Sequence, residues 1–209
     1  VHDYGTSAVP SENVIIRDSR FFYSGWNGID IGTYSNNIKV YDNTVAYASD
    51  VGIGVGGTNV LGVFDIDISR NTVRDTTLLF HLNTSYAMNM ESGANVTFAF
   101  NTAYNNKHAL VIAPYLNNTG YVLITGNRFR DSNPTSDKYV VKLRATEGVI
   151  IFSNNMIDSD TASSYAVVVG SDATFPNDNT IITGNIFTGI GGVYLTDGNN
   201  TSILGNTFL

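Results

Sequence analysis

The sequence predicts an all-β solenoid of short stacked strands, and three observations carry the prediction. An asparagine with an apolar residue three positions before it and another two positions after it recurs along nearly the whole chain. Successive markers stand between 21 and 30 residues apart. Each is followed by a second run with period-two apolar residues, and no stretch between them carries the 3.6-residue period of a helix. A unit of this length cannot bury its apolar face alone, whereas stacked units share one continuous core.

The stretch from Asn37 to Val55 shows one unit complete. Ile38 and Val40 alternate with polar neighbours, Asn43 and Val45 follow, and Gly52 opens a second run at Ile53 and Val55. Side chains of alternating direction place each such pair on one face of a strand. Upstream, Ile16, Ser19 and Phe21 fit the motif with serine in place of asparagine. Downstream the markers are Asn71, Asn101, Asn127, Asn155, Asn185 and Asn206. The inward pairs expected on the second strands are Ile29 and Ile31, Ile53 and Val55, Phe80 and Leu82, Val141 and Leu143, Val167 and Val169, and Val193 and Leu195. The run HALVIA is apolar on both faces and allows either Val111 with Ala113 or Leu110 with Ile112. Counted this way the stack has eight rungs, the last ending at Leu209. Leucine-rich repeats would need leucines at fixed offsets and a helical return, and a coiled coil would need heptads; neither pattern is present.

The pattern apolar-x-apolar-x-x-Asn-x-apolar followed by a glycine-opened strand resembles the right-handed parallel β-helix of the pectate-lyase-like superfamily, over residues Asn13 to Leu209. The resemblance implies a single β-helix domain over 1–209, with the chain as a candidate fragment of a longer helix. It does not imply an activity, because this fold hosts many.

Asparagine tolerates left-handed backbone and bonds nearby backbone groups, which suits a sharp turn between strands. Stacked at one position, its amides form a ladder from rung to rung. The markers are therefore expected to be structural rather than catalytic.

Composition narrows the function classes. With 43% hydrophobic residues in 209, the chain can bury a core, while only 14% are charged. A net charge of −7 disfavours nucleic acid and anionic membrane surfaces, which want basic protein. There is no cysteine, hence no disulfide framework, and no apolar run long enough for a spanning helix. No cofactor is expected. Five Asn-x-Ser/Thr sequons begin at Asn83, Asn95, Asn117, Asn199 and Asn200. None uses a ladder asparagine, so all are candidate glycosylation sites. Together these features predict a protein that is secreted or displayed on a cell or virion surface. No amphipathic helix caps either end, so self-association or further rungs at the ends are expected.

The outward positions carry the chemistry. Lys39 with Asp67, and Asp42 with Arg70, stand at equivalent sites on adjacent rungs and predict ion pairs. Asp75, Asn105 and Asp131 form a column that would suit calcium only if its acids met, and two rungs separate them by about 10 Å. No metal site is predicted. On the second strands the expected outward residues include Asp30, His81, Lys142 with Arg144, and Tyr194. Tyr86 and Glu91 are placed in an insertion after His81, and Lys107 and His108 enter the next rung. From this lane the catalytic candidates are His81, Lys142 and Arg144, with Lys142 as base if desolvation makes it one and Arg144 forking onto a carboxylate. Tyr34, Tyr86, Glu91 and Tyr194 are candidate carbohydrate contacts, Tyr34 belonging to an early aromatic group with Tyr23, Trp26, Tyr41 and Tyr47.

Polygalacturonan hydrolases of the resembled family carry paired aspartates and a Gly-His-Gly motif. Neither occurs here, and the pectate-lyase signature around a strand-borne arginine is also missing. The expected partner is a polysaccharide or glycan, bound or processed along the long face. The alternative is a non-catalytic surface, adhesin or fibre-type module that stacks through its ends.

Overall fold

The structure, a computed structural model, describes residues 2–3, 5, 9–56, 62–76, 85–113, 120–131, 139–144, 148–159, 165–170, 179–189, 191–196 and 200–209. These residues form three parallel sheets wound into a right-handed solenoid, with no helix among them. Sheet 1 holds the strands that precede each marker asparagine, from Ser35–Tyr41 through Phe64–Ser69, Ala94–Ala99, Gly120–Thr125 and Gly148–Ser153 to Thr180–Thr183 and Thr201–Leu204, with Ser11–Glu12 and Ile15–Arg17 at its start. Sheet 2 holds the strands just after the marker, among them Thr72–Arg74, Thr102–Asn106, Arg128–Asp131 and Met156–Ser159. Sheet 3 holds the second run of each unit: Ile29–Ile31, Val51–Val55, Tyr86–Met90, His108–Ile112, Tyr139–Leu143, Tyr165–Val169 and Val193–Leu195.

The inward residues of all three sheets meet in one apolar column. Five turns, from Ser35–Tyr41 to Tyr165–Val169, bury their inward pairs on every side. At the first turn Val14, Ile16 and Phe21 are only partly buried, and at the last Leu195, Leu204 and Phe208 are exposed. The count of eight rungs is thus corrected to about five closed turns flanked by open ones. A rung is closed only when a neighbour covers both of its edges, which counting markers does not register.

The ladder is continuous from Asn43 through Asn71, Asn101, Asn127, Asn155 and Asn185 to Asn206. Each Nδ2 donates to the next Oδ1 at 2.9 to 3.1 Å. Each backbone N–H donates to the same oxygen, and Ser19 starts the series by donating to Asn43 Oδ1 at 3.1 Å. The left-handed residue of the turn, however, is not the asparagine. It is the residue before it: Asp42, Arg70, Phe100 and Asn154 have φ between 55° and 57°, and Gly126, Gly184 and Gly205 take the same place. Asparagine is selected for the amide it aims along the axis, and its neighbour absorbs the bend.

Two other readings change with the structure. In the third unit the inward pair in register with Ile53 and Val55 is Met88 and Met90, while the expected Phe80 and Leu82 lie outside the described residues. Both stretches alternate apolar residues, and only inter-strand pairing decides between them. In the fourth unit the pair is Leu110 and Ile112. Gly52 is needed because a Cβ there would collide with the Val73 side chain and the Ala87 carbonyl.

Of the expected inter-rung pairs, Arg70 forks onto Asp42 with both contacts at 2.9 Å, and the guanidinium holds the Asp42 carboxyl below the usual range. Lys39 and Asp67 face each other in register and make no ion pair. Asp75, just past Thr72–Arg74, and Asn105, at a register shift within Thr102–Asn106, have φ of 55° and 54° and are joined by a 3.2 Å hydrogen bond from Asn105 Nδ2.

Candidate functional site

The outer face of sheet 3 gathers most of the expected site residues. Strand register places Tyr86 opposite His108, and Tyr139 opposite Tyr165. His108 stands two residues before Leu110 and Tyr139 two before Val141, and those two are partners, so the four residues form one column over four turns. The His108 ring stacks on Tyr139 with centroids 4.2 Å apart and tilts against Tyr86 at 5.6 Å. His108 is fully buried, and its Nδ1 lies 2.9 Å from the Tyr139 carbonyl oxygen. A carbonyl only accepts, so Nδ1 carries the hydrogen and donates. The histidine thereby fixes both the ring and the backbone of Tyr139.

The adjoining lane runs Asp30, Gly54, Asn89, Val111, Lys142, Val168, Tyr194. Lys142 Nζ lies over the Tyr139 ring, 5.5 Å from its centre, an arrangement the ring quadrupole favours. Tyr194 stacks on Tyr165 at 4.4 Å, joining the two lanes at their far end. Beyond this lane Glu91, Ala113 and Arg144 follow the strand ends; their N–H groups donate to the carbonyls of Val55, Met90 and Ile112.

The face is electrostatically polarised. At one end Asp30 is buried and accepts from Asn27 Nδ2 at 3.0 Å. Burial raises the Glu91 pKa above its ordinary value, and the nearby charges of Asp50 and Asp30 add to that, against a weaker opposing hydrogen bond from Asn89. Two turns on from Glu91, about 10 Å along the axis, Lys142 stands on Tyr139–Leu143 and Arg144 follows the end of that strand. Among the described residues no group of three His, Asp or Glu side chains is placed to hold a metal ion.

Of the sequence-derived candidates, Lys142, Arg144, Tyr86, Glu91 and Tyr194 therefore share one face. Tyr86 and Glu91 do not sit in an insertion: Tyr86 begins the strand and Glu91 follows its end. The lane position expected for His81 belongs to Asn89, and His81 itself lies outside the described residues. Tyr34 is elsewhere, at the corner between Ile29–Ile31 and Ser35–Tyr41, with φ of 54°. Its early aromatic group is dispersed too: Tyr23 stacks on Tyr47 at 4.8 Å, Tyr41 lies under Arg70, and Trp26 is exposed. Asn95 and Asn200 are exposed, whereas Asn83, Asn117 and Asn199 lie outside the described residues.

Sequence reasoning missed Tyr139 and Tyr165 and gave His108 no role. The signal was present: in four successive units an aromatic ring precedes the inward pair by two residues. It was obscured because the third unit's pair had been set too early in the chain.

No family model and no curated protein matches the chain. Among solved structures it is similar to the alginate lyase from Paenibacillus sp. str. FPU-7, with a TM-score of 0.51 and 12% identity, over 99% of this chain and 79% of that one. At that identity the likeness speaks for the fold alone, and together with the three sheets and the asparagine ladder it makes this chain a right-handed parallel β-helix.

Proposed function

We propose that the outer face of sheet 3 binds an acidic polysaccharide along the helix axis and cleaves it by β-elimination. The observation that carries the reading is Lys142 placed over the ring of Tyr139, which buried His108 holds, with Arg144 directly after the end of the same strand. The shared fold with an alginate lyase agrees with it, alginate being a polymer of uronic acids. Aromatic faces at Tyr86 towards one end and at Tyr165 and Tyr194 towards the other offer stacking surfaces for sugar rings.

The chemistry follows from the groups present. Arg144 pairs with a uronate carboxylate and offsets the charge that builds there as the neighbouring proton leaves. Lys142, as the free amine, takes that proton from C5. The C–H electron pair becomes the C4–C5 double bond, the C4–O bond breaks, and the Tyr139 hydroxyl protonates the departing oxygen. The products are a new reducing end and an unsaturated sugar. A protein with this activity meets its substrate outside the cell or at a cell or virion surface, where Asn95 and Asn200 would be open to glycosylation.

The test is incubation with alginate and with polygalacturonate, followed by ultraviolet absorbance of the unsaturated product. Wild type should form it, Lys142→Ala should lower kcat by about 100-fold or more, and Tyr139→Phe should lower kcat while sparing affinity. No product from either polymer would remove the elimination reading. Retention on immobilised polysaccharide without product would instead support a non-catalytic module on the same face.

A further inference from the structure

We propose a second acidic-saccharide site on sheet 2, on a different wall of the solenoid from the face described above. A cavity of about 250 Å³ opens there, lined by Thr102, Ala103, Tyr104, Asn105, Arg128 and Arg130. Strand register sets Thr102 beside Arg128 and Tyr104 beside Arg130, so two guanidiniums, a phenol, a hydroxyl and an amide surround one recess.

The charge distribution singles out this wall. The chain carries net charge −7, yet the strands of sheet 2 hold Arg20, Arg74, Arg128 and Arg130, four of its seven arginines. Two of these are engaged. Arg74 contacts Asp75 and lies over the Tyr47 ring, and Arg130 Nε lies 3.6 Å from Asp158 Oδ2 in an exposed pair that water screens. Arg128 makes no ion pair or hydrogen bond with another described residue. Of the two arginines that line the cavity, Arg130 therefore has a carboxylate partner and Arg128 has none among the described residues.

A planar fork beside an adjacent second arginine suits a carboxylate better than a point charge would. The Tyr104 ring offers a stacking face, and Thr102 and Asn105 can exchange hydrogen bonds with ring hydroxyls. The volume is at the small end for ligand sites, which suits one uronate ring of a chain rather than a larger compact ligand. The site would hold a polymer on a wall away from Tyr139 and does not depend on whether cleavage occurs.

The experiment is amide chemical-shift mapping of the full chain with short oligogalacturonate, its methyl ester and inorganic sulfate as separate probes. Oligogalacturonate should shift the amides of Thr102 to Asn105 and of Arg128 in a saturable way. Arg128→Ala should weaken binding at those amides about tenfold, the loss expected for one charge-assisted contact, without changing the melting temperature. Lys142→Ala should leave them unaffected while altering the response near Tyr139, so the two sites succeed or fail separately. Three results would overturn the proposal: no saturable shift on sheet 2, the same affinity in Arg128→Ala, or equal shifts with the methyl ester. Sulfate competing at equal affinity would also overturn it, by making the recess a general oxyanion site.

Discussion

Replacing Asn127 by alanine tests the ladder where it is most enclosed. Asn127 is 1% exposed. Its Nδ2 donates to the carbonyls of Phe98 and Thr125 at 2.9 and 3.1 Å and to Asn155 Oδ1 at 2.9 Å. Its Oδ1 accepts from the Asn101 backbone N–H at 2.9 Å and from Asn101 Nδ2 at 3.1 Å. Alanine removes all five contacts. Asn101 Nδ2 keeps its bond to Ile68 O, and Asn155 Oδ1 keeps the Asn127 backbone donor. The Asn101 N–H is left buried without its acceptor, at about 1 to 3 kcal/mol, and the carbonyls lose part of their satisfaction. The expected destabilisation is about 2 to 4 kcal/mol, read from reversible denaturant melts. Hydrogen exchange at the Asn101 amide should accelerate as well. The control is Asn95→Gly, because Asn95 has φ of 56° and glycine accepts that backbone without strain. Asn95 Nδ2 makes the same kind of inter-rung bond, to Asp65 at 3.0 Å, but at an exposed position, so water replaces it and the change should stay within about 0.5 kcal/mol. If Asn127→Ala also falls within that range, the ladder does not hold the turns together.

Three further outcomes follow from the same structure. Glu91→Gln should raise the melting temperature at neutral pH, because the raised pKa means the folded state disfavours the carboxylate. That penalty is complete above the folded pKa and disappears as pH falls below the ordinary value of 4.5, so the two proteins should converge in acid; a constant offset at all pH values would refute it. Met88→Ala should cost about 2 to 5 kcal/mol in denaturant melts, since Met88 is fully buried and its loss leaves a cavity, and a negligible cost would return the third inward pair to Phe80 and Leu82. His108→Phe keeps a stacking ring but removes the donor to the Tyr139 carbonyl, so it should lower kcat of the proposed elimination more than it changes KM, while Tyr139 near-ultraviolet dichroism shifts.

The repeat was legible because its cause is local and recurs. Each marker asparagine needs an apolar residue on the strand before it and another on the strand after it, and those three positions identify sheets 1 and 2 from Ile38 to Phe187 without any knowledge of contacts. The inward pairs of sheet 3 were legible where the connection is short, as at Ile53 with Val55 and Val167 with Val169. They were not legible after Arg74, where Phe80 with Leu82 and Met88 with Met90 satisfy the same alternation. A shift by an even number of residues leaves the inward face unchanged, so only hydrogen bonding to Val51–Val55 selects Tyr86–Met90. That selection carried the site with it. It placed Tyr86 in the column of His108 and Tyr139, gave Asn89 the lane expected for His81, and set Glu91 at the acidic end of the face. The burial of His108 and the recess between Arg128 and Tyr104 likewise belong to tertiary structure alone, because each depends on side chains from neighbouring turns that lie 22 to 31 residues apart in the chain.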